Sequence, residues 1–193
     1  MWKEYFSIPN LMGYFRILMI PVFLGAYYNA ETTADYLIAF AILAVSLLTD
    51  FFDGKIARKF NMITSFGKML DPVADKLTQG ALALAVTFKY PIMKILLAFF
   101  ICKELYMGIM GVYLLKKKDY HYGAQWYGKI CTAVMDVGIF IMLLFPQLDY
   151  RIVFVLFVIM MGLMLLSLVK YIQFHVAVIR GTDMLKKQEA PGT

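Results

Sequence analysis

Residues 50–76 read DFFDGKIARKFNMITSFGKMLDPVADK. Asp50, Asp53, Asp71 and Asp75 stand there among Lys55, Arg58, Lys59, Lys68 and Lys76. The flanking runs are apolar: LIAFAILAVSLL at 37–48 and GALALAVTF at 80–88. An ionisable side chain near a bilayer centre costs roughly 2.5–3.5 kcal/mol on insertion scales, so charges concentrated between such runs point to a functional site.

The composition explains why a membrane is the relevant solvent. Of 193 residues, 62% are hydrophobic and 17% charged, and the mean hydropathy is +0.71. A soluble domain averages about 45–50% apolar and about 25% charged residues. The chain is therefore read as an all-α integral membrane protein, large enough for one helical bundle. A domain spanning 1–180 is expected, followed by a polar tail at 181–193. The net charge of +6 is not arranged as a basic stripe with interleaved aromatics, which argues against nucleic acid as a partner. It suits a face lying against anionic lipid headgroups. Cys102 and Cys131 sit singly in apolar runs, and His121 and His175 are isolated, so neither type suggests a metal centre. The first apolar run holds Arg16 and Pro21 and lacks a small-residue cleavage site, unlike a signal peptide.

A span needs about 20 mostly apolar residues, which predicts six transmembrane helices at 8–29, 34–54, 66–89, 91–115, 124–146 and 151–178. Pro9 suits a helix start, Pro91 separates the third and fourth spans, and Pro146 closes the fifth. Loop 55–65 carries Lys55, Arg58 and Lys59; loop 116–123 carries Lys116, Lys117 and Lys118; the tail carries Arg180, Lys186 and Lys187. By the positive-inside rule both termini are cytoplasmic. The aspartates then lie at the cytoplasmic ends of helices 2 and 3.

Asp50 and Asp53 are three apart and Asp71 and Asp75 four apart, spacings that put each pair on one helix face about 5–6 Å apart. If the two helices are antiparallel neighbours, the four carboxylates converge, and a hard cation such as Mg²⁺, Mn²⁺ or Ca²⁺ relieves their repulsion. Gly54, Ala57 and Gly67 leave helix surface on which a flat ligand could lie, and Arg58 offers a planar fork for phosphate oxygens. The blander reading is a set of ion pairs, with Lys68 and Lys76 as partners, that only close the bundle.

The full pattern D-x2-D-G-x2-A-R-x8-G-x3-D-x3-D, complete as Asp50, Asp53, Gly54, Ala57, Arg58, Gly67, Asp71 and Asp75, resembles that of the CDP-alcohol phosphotransferases (CDP-alcohol phosphatidyltransferases). The resemblance implies six transmembrane helices, usually a homodimer, a divalent metal cofactor (Mg²⁺ or Mn²⁺), and displacement of CMP from a CDP-linked donor by an alcohol. It implies further that Asp50, Asp53, Asp71 and Asp75 form the metal site, with Asp75 also the catalytic base. Asp50, Asp53, Gly54, Ala57, Arg58, Gly67 and Asp71 would contact the CDP moiety.

Along most of the chain the likeness is to the phosphatidylglycerophosphate synthases, carried by IPNLMGYFRILMIPVFL at 8–24, LDPVADK at 70–76, Lys103-Glu104 and GKICTA at 128–133. It implies a phospholipid-biosynthesis enzyme of the bacterial cytoplasmic membrane, moving the phosphatidyl group of CDP-diacylglycerol to glycerol 3-phosphate. Three positions depart from that pattern: Gly13 stands where many such synthases have Thr, Gly111 where they often have Arg, and Cys131 where they usually have Lys. The cations left for an acceptor phosphate are Lys129, Lys103 and Arg16, each equally readable as a structural counter-ion. Phosphatidylglycerol, as in cardiolipin synthases, is the alternative acceptor. A cation transporter using the aspartates is the alternative of another class, although the internal repeats frequent in transporters are missing.

Overall fold

The computed structural model describes residues 7–59, 64–118 and 125–181. Six helices follow one another: α1 (Ile8–Tyr28), α2 (Thr33–Lys59), α3 (Ser65–Lys89), α4 (Met93–Lys118), α5 (Trp126–Leu144) and α6 (Tyr150–Arg180). Local chemistry explains the boundaries. Pro9 sits in the first turn of α1, where its missing N–H is no loss. Thr32 and Asp35 open α2 with reciprocal bonds: Asp35 N donates to Thr32 Oγ1 at 3.3 Å, and Thr32 N to Asp35 Oδ2 at 2.8 Å, a capping box. Thr64 caps α3, its Oγ1 accepting from Gly67 N at 2.9 Å. Asp149 caps α6 by accepting from Arg151 N at 2.7 Å. Gly181 ends α6 at φ 68°, a left-handed conformation that favours glycine.

Two expected loops are shorter than the charge runs suggested. α2 continues to Lys59 and α4 to Lys118, so Lys55, Arg58 and Lys59, and Lys116, Lys117 and Lys118, stand on helix rather than in loops. Charge does not stop a helix in the way Pro or Gly does; Lys and Arg are good helix formers.

Among the described residues four stretches are long and apolar enough to cross a membrane: Pro9–Tyr28, Met93–Lys116, Trp126–Leu144 and Tyr150–Ile179; Thr33–Thr49 in α2 is a shorter apolar stretch. With its outward face also apolar (Phe154, Val155, Val158, Leu165 and Leu166 are all exposed), α6 is built for lipid rather than water. The chain is an integral membrane protein. α3 is the helix outside this set, because Lys68, Asp71, Asp75 and Lys76 fill its first half and only its second half is apolar.

The chain forms two compact units, residues 1–94 with 139–148, and 95–138 with 149–193. In the first, α1 packs against both α2 and α3. The α1–α3 contacts rise together along both helices: Asn10 meets Thr64, Tyr14 faces Phe66, Arg16 meets Asp75, and Tyr28 faces Phe88. The two are therefore parallel, and α2 returns between their ends. Close approach is possible because α3 buries a stripe of small residues, Ala74, Thr78, Ala81 and Ala85, as expected where packing rather than water drives association. In the second unit α6 buries one face, Val153, Met160, Met164, Ser167, Tyr171, His175 and Val178. Gly138 makes room for Met160 there: a Cβ at 138 would stand 2.7 Å from its Sδ.

Candidate active site

α1 and α3 begin, and α2 ends, at one end of the first unit. That end presents two helix N-termini, whose partial positive charge favours anions, together with the acidic motif. Asp71 and Asp75 occupy successive turns of α3 and are both exposed. Arg16 reaches them from α1: its Nη1 stands 2.6 Å from Asp75 Oδ1, with the arginine side chain 2% exposed and the aspartate side chain 61% exposed. The guanidinium is thus held inside the helix pair while the carboxylate remains open to ligand. The Asp71 carboxylate takes no hydrogen bond from a described residue.

The blander reading offered Lys68 and Lys76 as partners of the aspartates. Asp75 meets Arg16, 59 residues away, and Lys76 Nζ donates to Gln79 Oε1 at 3.4 Å. The side chain of Lys68 lies outside the described set, as do those of Asp50, Asp53, Ala57 and Arg58 and the surroundings of Gly54. Their backbone is continuous helix. Positions 50, 53, 54 and 57 are spaced three, four and seven apart and so share one face of α2.

Gly67 is buried, and a Cβ there would stand 2.6 Å from Asn10 Oδ1 and 3.0 Å from Thr64 Oγ1. Asn10 is itself buried and donates to Thr64 Oγ1 at 3.1 Å. Gly67 is therefore required by the junction of α1 with the cap of α3, whatever it does for a ligand. Asn10 and Thr64 did not stand out in the sequence; the signal available was a lone amide in the first turn of an apolar helix and a T-x-x-G helix start. Gly13, which read as a lost threonine, is a packing site, since a Cβ there would lie 3.0 Å from Leu70 Cδ2.

The three candidate acceptor cations differ. Arg16 meets Asp75. Lys103, in the second unit, is 6% exposed and its Nζ lies 2.8 Å from Glu104 Oε1. Lys129 is exposed in the first turn of α5. Nearby in that unit, Tyr171 lies against Gly128, leaving no space for a side chain at 128, and Tyr106 Oη is 3.1 Å from His175 Nδ1.

Among the described residues no three acidic, histidine or cysteine side chains gather as a metal site. Asp71 and Asp75 are two carboxylates on one helix, open to ligand. Such hard oxygen donors fit Mg²⁺ or Mn²⁺ better than a softer metal.

A family model described as CDP-alcohol phosphatidyltransferase matches residues 6–179. Two proteins named CDP-diacylglycerol–glycerol-3-phosphate 3-phosphatidyltransferase are similar to this chain over the same 83-residue length. That of Rickettsia felis is 46% identical, covering 43% of this chain and 45% of the relative. That of Rickettsia typhi is 45% identical, covering 43% and 46%. These matches span about half the length of the Rickettsia proteins. A protein of the same name from Escherichia coli strain K12 is 33% identical over 137 residues, 69% of this chain and 75% of the relative.

Proposed function

The chain belongs to the CDP-alcohol phosphatidyltransferase family, and we propose that it transfers the phosphatidyl group of CDP-diacylglycerol to glycerol 3-phosphate. An acceptor hydroxyl oxygen bonds to the phosphorus that carries the diacylglycerol, the bond from that phosphorus to the CMP oxygen breaks, and the hydroxyl proton passes to a carboxylate. The products are phosphatidylglycerophosphate and CMP. The observation that carries this reading is the complete eight-position motif from Asp50 to Asp75, with Asp71 and Asp75 exposed at the end where α1 and α3 begin. The names of the relatives support glycerol 3-phosphate, and nothing among them favours phosphatidylglycerol.

Asp75 is the base. Arg16 holds Oδ1, which orients the carboxylate and leaves Oδ2 to take the proton. Asp50, Asp53, Asp71 and Asp75 would hold Mg²⁺ or Mn²⁺, which when bound offsets phosphate charge and makes CMP a better leaving group. Gly54, Ala57, Arg58 and Gly67 line the CDP site in this reading, with Arg58 as the phosphate fork. Lys129 and Lys103 are the acceptor cations: glycerol 3-phosphate carries nearly two negative charges at neutral pH, and a dianion beside lipid needs a close cation.

The same reading makes residues 1–180 one transferase domain, 181–193 a polar tail, and the working unit a homodimer in a bacterial cytoplasmic membrane. Both termini and the motif face the cytoplasm. Cysteines placed at Lys117 and Thr32 should then react with impermeant reagents from opposite sides of the membrane, and labelling from one side would overturn that topology. The decisive assay is CMP release from CDP-diacylglycerol by the purified protein, with glycerol 3-phosphate or phosphatidylglycerol offered separately. Release with glycerol 3-phosphate alone is expected; release with phosphatidylglycerol alone would refute the acceptor.

A further inference from the structure

The end of α2 remote from the acidic motif carries a second feature. α2 has 27 residues, which at 1.5 Å per residue separates its ends by about 40 Å. Around its first turns, residues 31–40 and 143–148 enclose a cavity of about 640 Å³, within the roughly 300–1,000 Å³ typical of small-molecule sites.

Both walls are fixed by side chains. On one, Asp35 Oδ2 accepts from Glu31 N, Thr32 N and Thr32 Oγ1 at 3.2, 2.8 and 2.8 Å. On the other, Tyr90 Oη accepts from Leu148 N at 3.0 Å and donates to Phe145 O at 3.4 Å. A cavity whose walls are already tied does not spend binding energy on ordering them.

Its lining is divided. Leu37, Leu144 and Phe145 are exposed hydrophobics, which in a membrane protein means exposed to acyl chains. Glu31, Thr32 and Gln147 make a polar rim. Glu31 is the charged residue of that lining, and its carboxylate takes no hydrogen bond from a described residue. Tyr36, also in the lining, carries the Lys89 ammonium 5.1 Å from its ring centroid. An acid therefore stands in the rim, and a base beside Tyr36, one of the residues that line the cavity.

We propose that this cavity binds a zwitterionic phospholipid of the ethanolamine class, its ammonium on Glu31, its phosphate towards Lys89 and an acyl chain against Leu37 and Leu144. An anionic lipid lacking the amine would set its phosphate against the Glu31 carboxylate. The site is independent of the transferase reading, and its test involves no turnover.

The full-length protein is placed in nanodiscs of phosphatidylglycerol containing a minor fraction of photoactivatable phosphatidylethanolamine, and cross-linked peptides are mapped by mass spectrometry. Cross-links should concentrate in residues 31–40 and 143–148. Thr33→Trp, which fills the cavity, should remove most of them, and Val22→Trp on α1 should not. Glu31→Gln, which keeps the volume, should lower the yield about two- to fivefold, the worth of one exposed ion pair. Cross-links spread evenly along the chain would overturn the proposal. So would equal labelling by a photoactivatable phosphatidylglycerol, or yields unchanged in both Thr33→Trp and Glu31→Gln.

Discussion

Arg16 and Lys103 are both nearly inaccessible cations in apolar helices, yet they find their carboxylates in opposite ways. Arg16, in the first unit, pairs with a residue 59 positions away on another helix. Lys103, in the second, pairs with the next residue in the chain. The long-range pair ties α1 to α3 and sets the direction of a motif carboxylate. The local pair is made between neighbours on α4, so the bond itself sets no register between helices. Burial of a charge alone is thus poor evidence of a site; what the charge connects is more telling.

That contrast can be broken first at Asp75. Asp75→Asn keeps the shape and a hydrogen-bond acceptor for Arg16 but removes the basic carboxylate. Turnover should fall about 10²–10⁴-fold, the usual worth of a general base, while CDP-diacylglycerol binding is largely kept, because the base acts mainly in the transition state. CMP release near the wild-type rate would remove Asp75 from the base role.

Arg16→Gln should come next, with kcat down about 10–100-fold from a misdirected carboxylate and the donor KM little changed. Arg16→Lys should recover part of the loss by restoring the charge without the fork. Equal losses in both variants, with the acceptor KM raised and the donor KM unmoved, would instead make Arg16 an acceptor contact.

A smaller effect belongs to the glycines of the two units. Gly67→Ala drives a Cβ into Asn10 and should cost about 1–3 kcal/mol of stability, read as a lower melting temperature in detergent. Gly162→Ala in α6 meets nothing within 4 Å and should stabilise by about 0.4–1 kcal/mol. A neutral Gly67→Ala would mean that the α1–α3 junction yields, and that the glycine matters for ligand contact alone.

Much of this was legible in the sequence, for identifiable reasons. Six apolar runs punctuated by Pro9, Pro91 and Pro146 fall within a few residues of the helices observed, because run length and helix breakers are local signals. The α2 extension to Lys59 was missed because a run of cations resembles a loop in composition, although nothing in it ends a helix. That Asp71 and Asp75 are neighbours on one face of α3 followed from their four-residue spacing. The Arg16–Asp75 pair and the Asn10–Thr64–Gly67 junction did not follow, since the alternation of spans gives the direction of α1 and α3 but not which of their residues meet. No pattern in either segment encodes that register. At Gly13 the comparison of motifs marked a departure, and the structure adds its local reason: Leu70 packs there.

The smallest effect should be that of Lys103→Met. A methionine matches much of the lysine stem in an apolar setting, and Glu104, on the same helix and 21% exposed by its side chain, keeps access to solvent. Because the pair is local and Glu104 keeps that access, stability should change by about 1 kcal/mol or less. Function supplies the other half of the test. If Lys103 is free to hold the acceptor phosphate, the same variant should raise the KM for glycerol 3-phosphate about tenfold and leave that for CDP-diacylglycerol alone, since a charge-assisted hydrogen bond contributes about 1.5–3 kcal/mol. A melting temperature lowered as far as in Arg16→Gln, with KM unmoved, would make Lys103 a structural counter-ion. The two buried cations would then be of one kind, and Lys129 would remain as the candidate for the acceptor.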